Sequence, residues 1–478
     1  MKNNIVEKNY LYTLIYQIVS IGTSLFMMPY IARVIGDVGI GIYSYTTSIS
    51  YYFIFISTLG ISLYGQREIS ALQKNSKKRV KTFLEIFLIK LFVMSLSLII
   101  YWFLFCNSGE YSFFFKLLLV EVIGNIIDIT WYYQGTENFK RILVKNLINK
   151  IITIVSILLF VKSSDDLGVY ILIYGVSTFI SNFSLYINLK LKLNVIKDIK
   201  LDFKRHIKPI FILFLPQLAV SLYSLVDKVM IGWFVSDIRD VGFYDQAHKI
   251  IYLLLVFVTS FGTVMLSRIV SIKSDCKHSN IIEIIYKSFN YIWFIVIPIT
   301  LGIAVVSDNL IPWFLGEQFI KVSKYLKCFS FIIIILGLSN VIGEQYLVAL
   351  KREKEYTFSL IVSSIVNVIL NIPFIIMWGA LGAIISSIIS ETIKLVIGLF
   401  VIRKEFDLKK VLLMSRNYVV SGLLMFIIVK LISNLLVSSI INTFILFIVG
   451  VIVYIGMLFV LKDNLLLNII SKSTNECS

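Results

Sequence analysis

A chain of 478 residues with 58% apolar side chains, a mean hydropathy of +0.88 and only 15% charged residues carries more apolar surface than a water-soluble fold can bury. Its net charge of +17 sits mostly between apolar runs, which argues for a topology signal and against a nucleic-acid footprint. Cys106, Cys276, Cys328 and Cys477 are scattered without CxxC or zinc spacing, so neither a disulfide framework nor a metal cluster is expected.

Apolar runs long enough to cross a hydrocarbon core of about 30 Å recur along the whole chain, and their continuity, without period-two alternation, predicts helices rather than barrel strands. The short polar start to Tyr10 leads into a run too long for a signal-peptide core, so the first helix is expected to stay. Spans are expected near 10 to 33, 40 to 64, 83 to 106, 113 to 134, 146 to 161 and 168 to 189. A long basic segment, Lys190 to Lys208, then precedes spans near 209 to 233, 250 to 272, 288 to 306, 322 to 349, 357 to 377 and 380 to 402. Two nearly uncharged spans, 414 to 437 and 443 to 461, complete about fourteen. The fold class expected is therefore an all-α polytopic membrane protein.

Sorting Lys and Arg onto the intervening loops tests this list independently of hydropathy. Only Lys162, Arg239, Lys249 and Lys321 fall opposite the N-terminus, while loops such as Arg67 to Lys81 and Lys190 to Lys208 load the other side. A missed helix would swap the sides downstream, so the persistent bias predicts an even count, both ends cytoplasmic. An internal echo, Gly41-Ile42-Tyr43 against Gly242-Phe243-Tyr244, follows the first and the seventh helix. Gln17 with Ser20 and Ser24, and Gln217 with Ser221, Ser224 and Lys228, form polar stripes on the helices before it. Two pseudo-symmetric six-helix halves are expected: 1–192, a linker at 193–208, 209–403, and then 404–478 as two additional helices with a tail.

The chain has no Walker A loop, HExxH, GxSxG or GxGxxG in a strand-helix context, and His206, His248 and His278 are expected in loops. ATP-driven transport by this chain alone and hydrolysis are not expected; it is not an enzyme on this reading, and no cofactor is implied. The informative residues are charges inside the spans, where each costs a few kcal/mol unless it meets water or a partner. Arg33, Lys116, Arg268, Lys324 and Lys327 lie near helix ends, close enough to snorkel, whereas Lys90, Lys228 and Lys394 are deeper. Glu121, Asn125 and Asp128 are spaced as one polar face of the fourth helix, continuing into Trp131 and Tyr132. Asp227 and Lys228 are adjacent and point about 100° apart, so they do not simply pair; Glu391 and Lys394 stand one turn apart and either neutralise each other or serve a site. Glu344 completes the acidic set. Pro29, Pro216, Pro298 and Pro373 loosen their helices, and Tyr10, Tyr12, Trp102, Trp131, Trp233 and Trp313 read as an interfacial belt. Both signs of charge are present, so charge alone does not choose between an anionic and a cationic substrate; an intramembrane carboxylate could also carry a coupling proton or Na⁺.

Pro29 to Gly36, Gly41 to Tyr45, Leu59 to Ile69, the Ser224 to Gly232 segment with its Asp227-Lys228-Val229-Met230-Ile231-Gly232, and the small-residue helix from Gly379 to Glu391 resemble one family. It is the polysaccharide repeat-unit flippases of the multidrug/oligosaccharidyl-lipid/polysaccharide exporter superfamily, and the resemblance weakens after about residue 410. It implies two lobes in a V around a cavity that opens alternately, and an oligosaccharide on undecaprenyl pyrophosphate turned from the inner to the outer leaflet for capsule or O-antigen assembly. The two additional helices would shape a groove for the isoprenoid tail; polymerase and glycosyltransferases of the same pathway would be partners. The deep first-helix arginines of the peptidoglycan-precursor branch are missing here, Arg33 being near the helix end.

On this reading Lys228, Lys90, Arg67 and Arg268 are candidates for the pyrophosphate, with Gln17, Asn125 and Gln217 for sugar hydroxyls. Glu121, Asp128, Asp227 and Glu391 are candidates for a coupling ion. The alternatives are a multidrug antiporter of organic cations in the same superfamily, and a membrane glycosyltransferase or polymerase.

Overall fold

The computed structural model describes residues 2–58, 60–187, 189, 201–273 and 278–468; these are helices joined by short turns, with no strand among the described residues. Apolar backbone in a bilayer has no water to bond, and a helix satisfies its amides internally. Eleven of the described helices are long and apolar enough to cross a membrane. The expected segments all fall on helices, and three places account for the different count. α1 (Lys2–Thr58) continues through the gap between the first two expected spans, where Gly36 leaves helical geometry at φ 79°; a side chain is strained there and glycine is not. The fourth expected span stops short, as described below, and α8 (Lys204–Phe234) is not among the eleven.

The chain divides into two compact units, Met1–Val229 and Met230–Ser478. In the first, α2 (Ile61–Ala71), α3 (Ser76–Tyr101), α4 (Ser112–Ile126), α5 (Thr130–Gly135), α6 (Phe139–Phe160) and α7 (Leu167–Ser184) follow α1. α4 packs along α7, and α2 lies against α5. That contact is closed by Trp131, which stacks on Phe83 with ring centroids 5.4 Å apart and fills the space over Gly65. Trp131 is 1% exposed, so it belongs to the core and not to an interfacial belt. An aromatic residue between two short helices reads the same in sequence whether it faces lipid or packs inward. Trp102 and Trp233 are exposed.

The second unit contains α9 (Arg239–Lys273), α10 (His278–Phe314), α11 (Lys321–Phe329) and α12 (Ile332–Asn340), the last running on through a wide turn at Val341–Val348. α13 (Glu353–Trp378), α14 (Ala380–Ile402), a short α15 (Leu408–Met414), α16 (Arg416–Ser433) and α17 (Ile440–Val460) complete it. α13 and α14 form the tightest pair, turning at Gly379 with φ 61°. A Cβ on Gly382 would stand 1.9 Å from the carbonyl oxygen of Phe374, against backbone that cannot swing away. Gly382→Ala should therefore destabilise the protein by about 1–3 kcal/mol. Gly456→Ala in α17, where nothing lies within 4 Å, should be neutral or stabilising. Thermal melts of the two variants in detergent check the contrast.

Candidate functional site

α4 ends at Ile126, and Asp128 lies in the break before α5 rather than on the helical stripe its spacing suggested. A helix that stops here leaves carbonyls without amide partners, and in an apolar surrounding each must be met by another donor. Three side chains meet them. Asn182 Nδ2 of α7 donates to Gly124 O at 2.9 Å, Tyr186 Oη donates to Ile127 O at 2.8 Å, and Lys90 Nζ of α3 donates to Asp128 O at 2.6 Å. The Asp128 carboxylate accepts the Thr130 amide at 3.0 Å, capping α5.

Lys90 is 1% exposed, and its ammonium is committed to the broken backbone. Beside it Lys145 of α6 lies 3.8 Å from Asp128 Oδ1 and donates to Asn182 Oδ1 at 2.7 Å and to Thr130 Oγ1 at 3.2 Å. Sequence reasoning left Lys145 in a loop because α6 begins at Phe139, well before its apolar run, so the helix carries the lysine into the interior. Two ammonium groups and one carboxylate thus share a cluster of net positive charge.

Further along α4, Glu121 is 7% exposed and accepts a hydrogen bond from Tyr51 Oη of α1 at 3.0 Å. Asn125 does not extend this polar face outward: its Nδ2 donates to Glu121 O of its own helix at 2.9 Å. Asp227 and Lys228 sit on α8, Asp227 buried and Lys228 half-buried, each engaged by a neighbour, with Tyr52 within electrostatic reach of Asp227. Gln17 is exposed on α1, and Arg67 is an exposed residue of α2 near Glu68, 3.8 Å away. The side chains of Gln217 and Arg268 lie outside the described residues.

In the second unit the open alternative for Glu391 and Lys394 resolves as an ion pair within α14, both buried. Nearby, the wide turn after α12 holds Glu344, which accepts from Asn340 Nδ2 at 2.7 Å, while Gln345 Nε2 donates to Asn340 Oδ1 at 3.0 Å. Gly262 of α9 makes room for that amide. At the end of these helices Arg352 bonds Glu355 and Glu405, whose carboxylates hold its guanidinium even more firmly protonated than usual.

The histidines correct a second expectation. None of them is in a loop: His206 is in the first turns of α8, His248 in α9 stacked 4.1 Å from Tyr252, and His278 begins α10. Helices run past the apolar stretch into charged sequence, where hydropathy no longer marks them. His206 is 1% exposed, its Nε2 3.0 Å from Glu85 Oε2 and its Nδ1 2.8 Å from Tyr64 Oη. Glu85 of α3 also bonds Arg205 and accepts the Asp202 amide at 2.6 Å, fastening the start of α8 to α2 and α3. Spacing offers Glu85 only Lys81, one turn away at 3.7 Å; its other partners lie more than a hundred residues away.

Each unit also has an apolar cavity: one of about 650 Å³ in the first, lined by residues such as Leu88, Phe92 and Phe211, and one of about 640 Å³ in the second, bounded by α9, α10, α16 and α17 and lined almost wholly by aliphatic and aromatic side chains.

Comparison with known proteins bears on these features. The profile of the polysaccharide biosynthesis protein family matches residues 6–273. The chain is 21% identical over 406 residues to the "Putative O-antigen transporter" of Escherichia coli (strain K12), covering 84% of this chain and 97% of that one. A protein of Haloferax volcanii named "Probable low-salt glycan biosynthesis flippase Agl15" is 24% identical over 175 residues, 37% of each chain. Among solved structures, the lipid II flippase MurJ in an inward closed conformation superposes with a TM-score of 0.77 at 20% identity, over 95% of this chain and 99% of that chain. An inward-facing multidrug resistance MATE family transporter of the MOP superfamily gives 0.62 at 12% identity, over 82% and 96%. The fold is that of these multi-pass membrane transporters, the resemblance read from the first, second, seventh and twelfth helices holds, and the chain belongs to the polysaccharide biosynthesis protein family.

Proposed function

We propose that this protein flips oligosaccharide repeat units carried on undecaprenyl pyrophosphate from the inner to the outer leaflet of the cytoplasmic membrane, with both termini cytoplasmic, to feed capsule or O-antigen assembly. The observation that carries the reading is the apolar cavity of the second unit. Phe294, Pro298, Leu310, Phe444, Phe447 and Ile455 are among its walls, a chemistry that suits a polyprenyl chain and offers a bare sugar nothing to bond. Membership of the polysaccharide family, and relatives named as an O-antigen transporter and a glycan flippase, support the same substrate class.

Lys228, half-buried on α8, is the cation we assign to the pyrophosphate. The substrate crosses by alternating exposure of its site to the two faces, and Glu121 carries the coupling proton or Na⁺, since its carboxylate meets a neutral phenol whereas Glu391 is neutralised by Lys394.

Leaflet-resolved labelling of lipid-linked oligosaccharide in proteoliposomes, with and without the protein, tests the function. Lys228→Ala should slow translocation at least about tenfold, a loss of roughly 1.4 kcal/mol of stabilisation, while the protein inserts normally. Unchanged flipping would remove Lys228 from the mechanism. Glu121→Gln should leave lipid binding intact and abolish the response to an imposed proton or Na⁺ gradient; an undiminished response would move coupling elsewhere. Uptake of an organic cation by the same vesicles, without movement of lipid-linked sugar, would instead place the chain with the drug exporters.

A further inference from the structure

A second, polar cavity of about 600 Å³ lies in the second unit where several helices end. The first turns of α10, the far end of α15, the start of α16 and the turn after α17 enclose it. Its carboxylates are already committed. Glu283 is taken by Lys287 at 2.7 Å. Asp463 accepts the amides of Leu465 at 3.1 Å and Leu466 at 3.3 Å, the Tyr418 hydroxyl at 3.3 Å and the Asn417 amide group at 3.3 Å.

Lys410, Arg416 and Lys462 therefore remain as cations on three different elements, with no carboxylate of the described residues within ion-pair distance. Lys410 is steered by the Tyr286 ring, 4.5 Å from its centroid. α15 is fixed in place, since Trp293 Nε1 donates to Val411 O at 3.1 Å. It turns Leu412 and Leu413 outward, 65% and 61% exposed, and Leu413 also lines the cavity. Lys410 and Arg416 lie within the first nine residues of the apolar stretch Leu408–Ser433, and Lys462 just follows the end of α17, so the three cations stand at or close to the ends of apolar spans.

Three cations against the single charge of Asp463 leave the cavity net positive, and with apolar side chains on its shoulder they match an anion attached to a hydrocarbon tail. We propose that this pocket binds the phosphate headgroup of an anionic phospholipid, with Leu412 and Leu413 against its acyl chains. A free phosphate shares the headgroup chemistry but makes no use of the two leucines.

The test uses the full chain in nanodiscs of phosphatidylcholine containing graded amounts of phosphatidylglycerol with matched acyl chains, and reads the lipid retained on release into native mass spectrometry. Wild type is expected to retain phosphatidylglycerol at least tenfold over its share of the bilayer. The variant Lys410→Gln/Arg416→Gln/Lys462→Gln is expected to lose that enrichment, and Leu412→Ser/Leu413→Ser to reduce it. Glycerophosphoglycerol or inorganic phosphate added to wild type should displace none of the lipid. Equal enrichment in wild type and the triple variant overturns the proposal, as does complete displacement by inorganic phosphate, which would make the pocket a site for soluble anions. Competition in the wild-type protein keeps the test decisive even where a variant folds poorly.

Discussion

Asp128→Ala is expected to destabilise the protein by about 2–4 kcal/mol, because it leaves one buried and one half-buried ammonium group with no counter-charge. Lys145 loses the carboxylate 3.8 Å away, and Lys90 keeps its bond to the backbone carbonyl but not the nearby negative charge. The Thr130 amide, bonded to Asp128 Oδ1 at 3.0 Å, loses its acceptor too, so α5 is uncapped by the same change. Asp128→Asn keeps an acceptor and should lie between the two. Adding Lys145→Met to Asp128→Ala should recover part of the loss, since one uncompensated charge goes with it. Melting temperatures in one detergent decide the matter: an Asp128→Ala protein as stable as wild type would mean that water, not Asp128, solvates the lysines.

Glu85→Ala should cost a similar amount, about 3–5 kcal/mol, for a related reason. The Glu85 side chain is fully buried and receives Arg205, His206 and the Asp202 amide, with Lys81 3.7 Å away. Removing it strands a ring nitrogen, an amide and part of a guanidinium at once. His206→Ala removes one donor and leaves Arg205 on the carboxylate, so its effect should be smaller, about 1–3 kcal/mol. Expression, thermal melting and limited proteolysis across the start of α8 read the difference. Equal stability of Glu85→Ala and wild type would reduce the cluster to a solvated surface.

Legibility in the sequence follows what hydropathy and spacing can sense. Long apolar runs placed most of the eleven helices long and apolar enough to cross a membrane, because hydropathy reports the solvent the chain is dissolved in and not its neighbours. The family was legible in short segments such as Asp227-Lys228-Val229-Met230-Ile231-Gly232. The end of α4 at Ile126 was not, since an apolar run looks the same whether or not its backbone stays helical, so Asp128 read as one more residue on a stripe. Trp131 was misplaced because amphipathic aromatics suit a belt and a core equally well. Lys145 and Glu85 escaped notice because their importance comes mostly from partners outside their own helices. Intramembrane charge singled out Lys90 as a candidate for the substrate, and the geometry gives it a structural duty at the α4 break.

The stop in α4 also limits how the first bundle can move. The carbonyls of Gly124, Ile127 and Asp128 are plugged from α7, from the turn beyond it and from α3. Sliding any of those neighbours lengthwise would strip an oxygen of its donor, at about 1–3 kcal/mol each where no water replaces it. Internal shear is thereby opposed, and these helices are expected to move as a block.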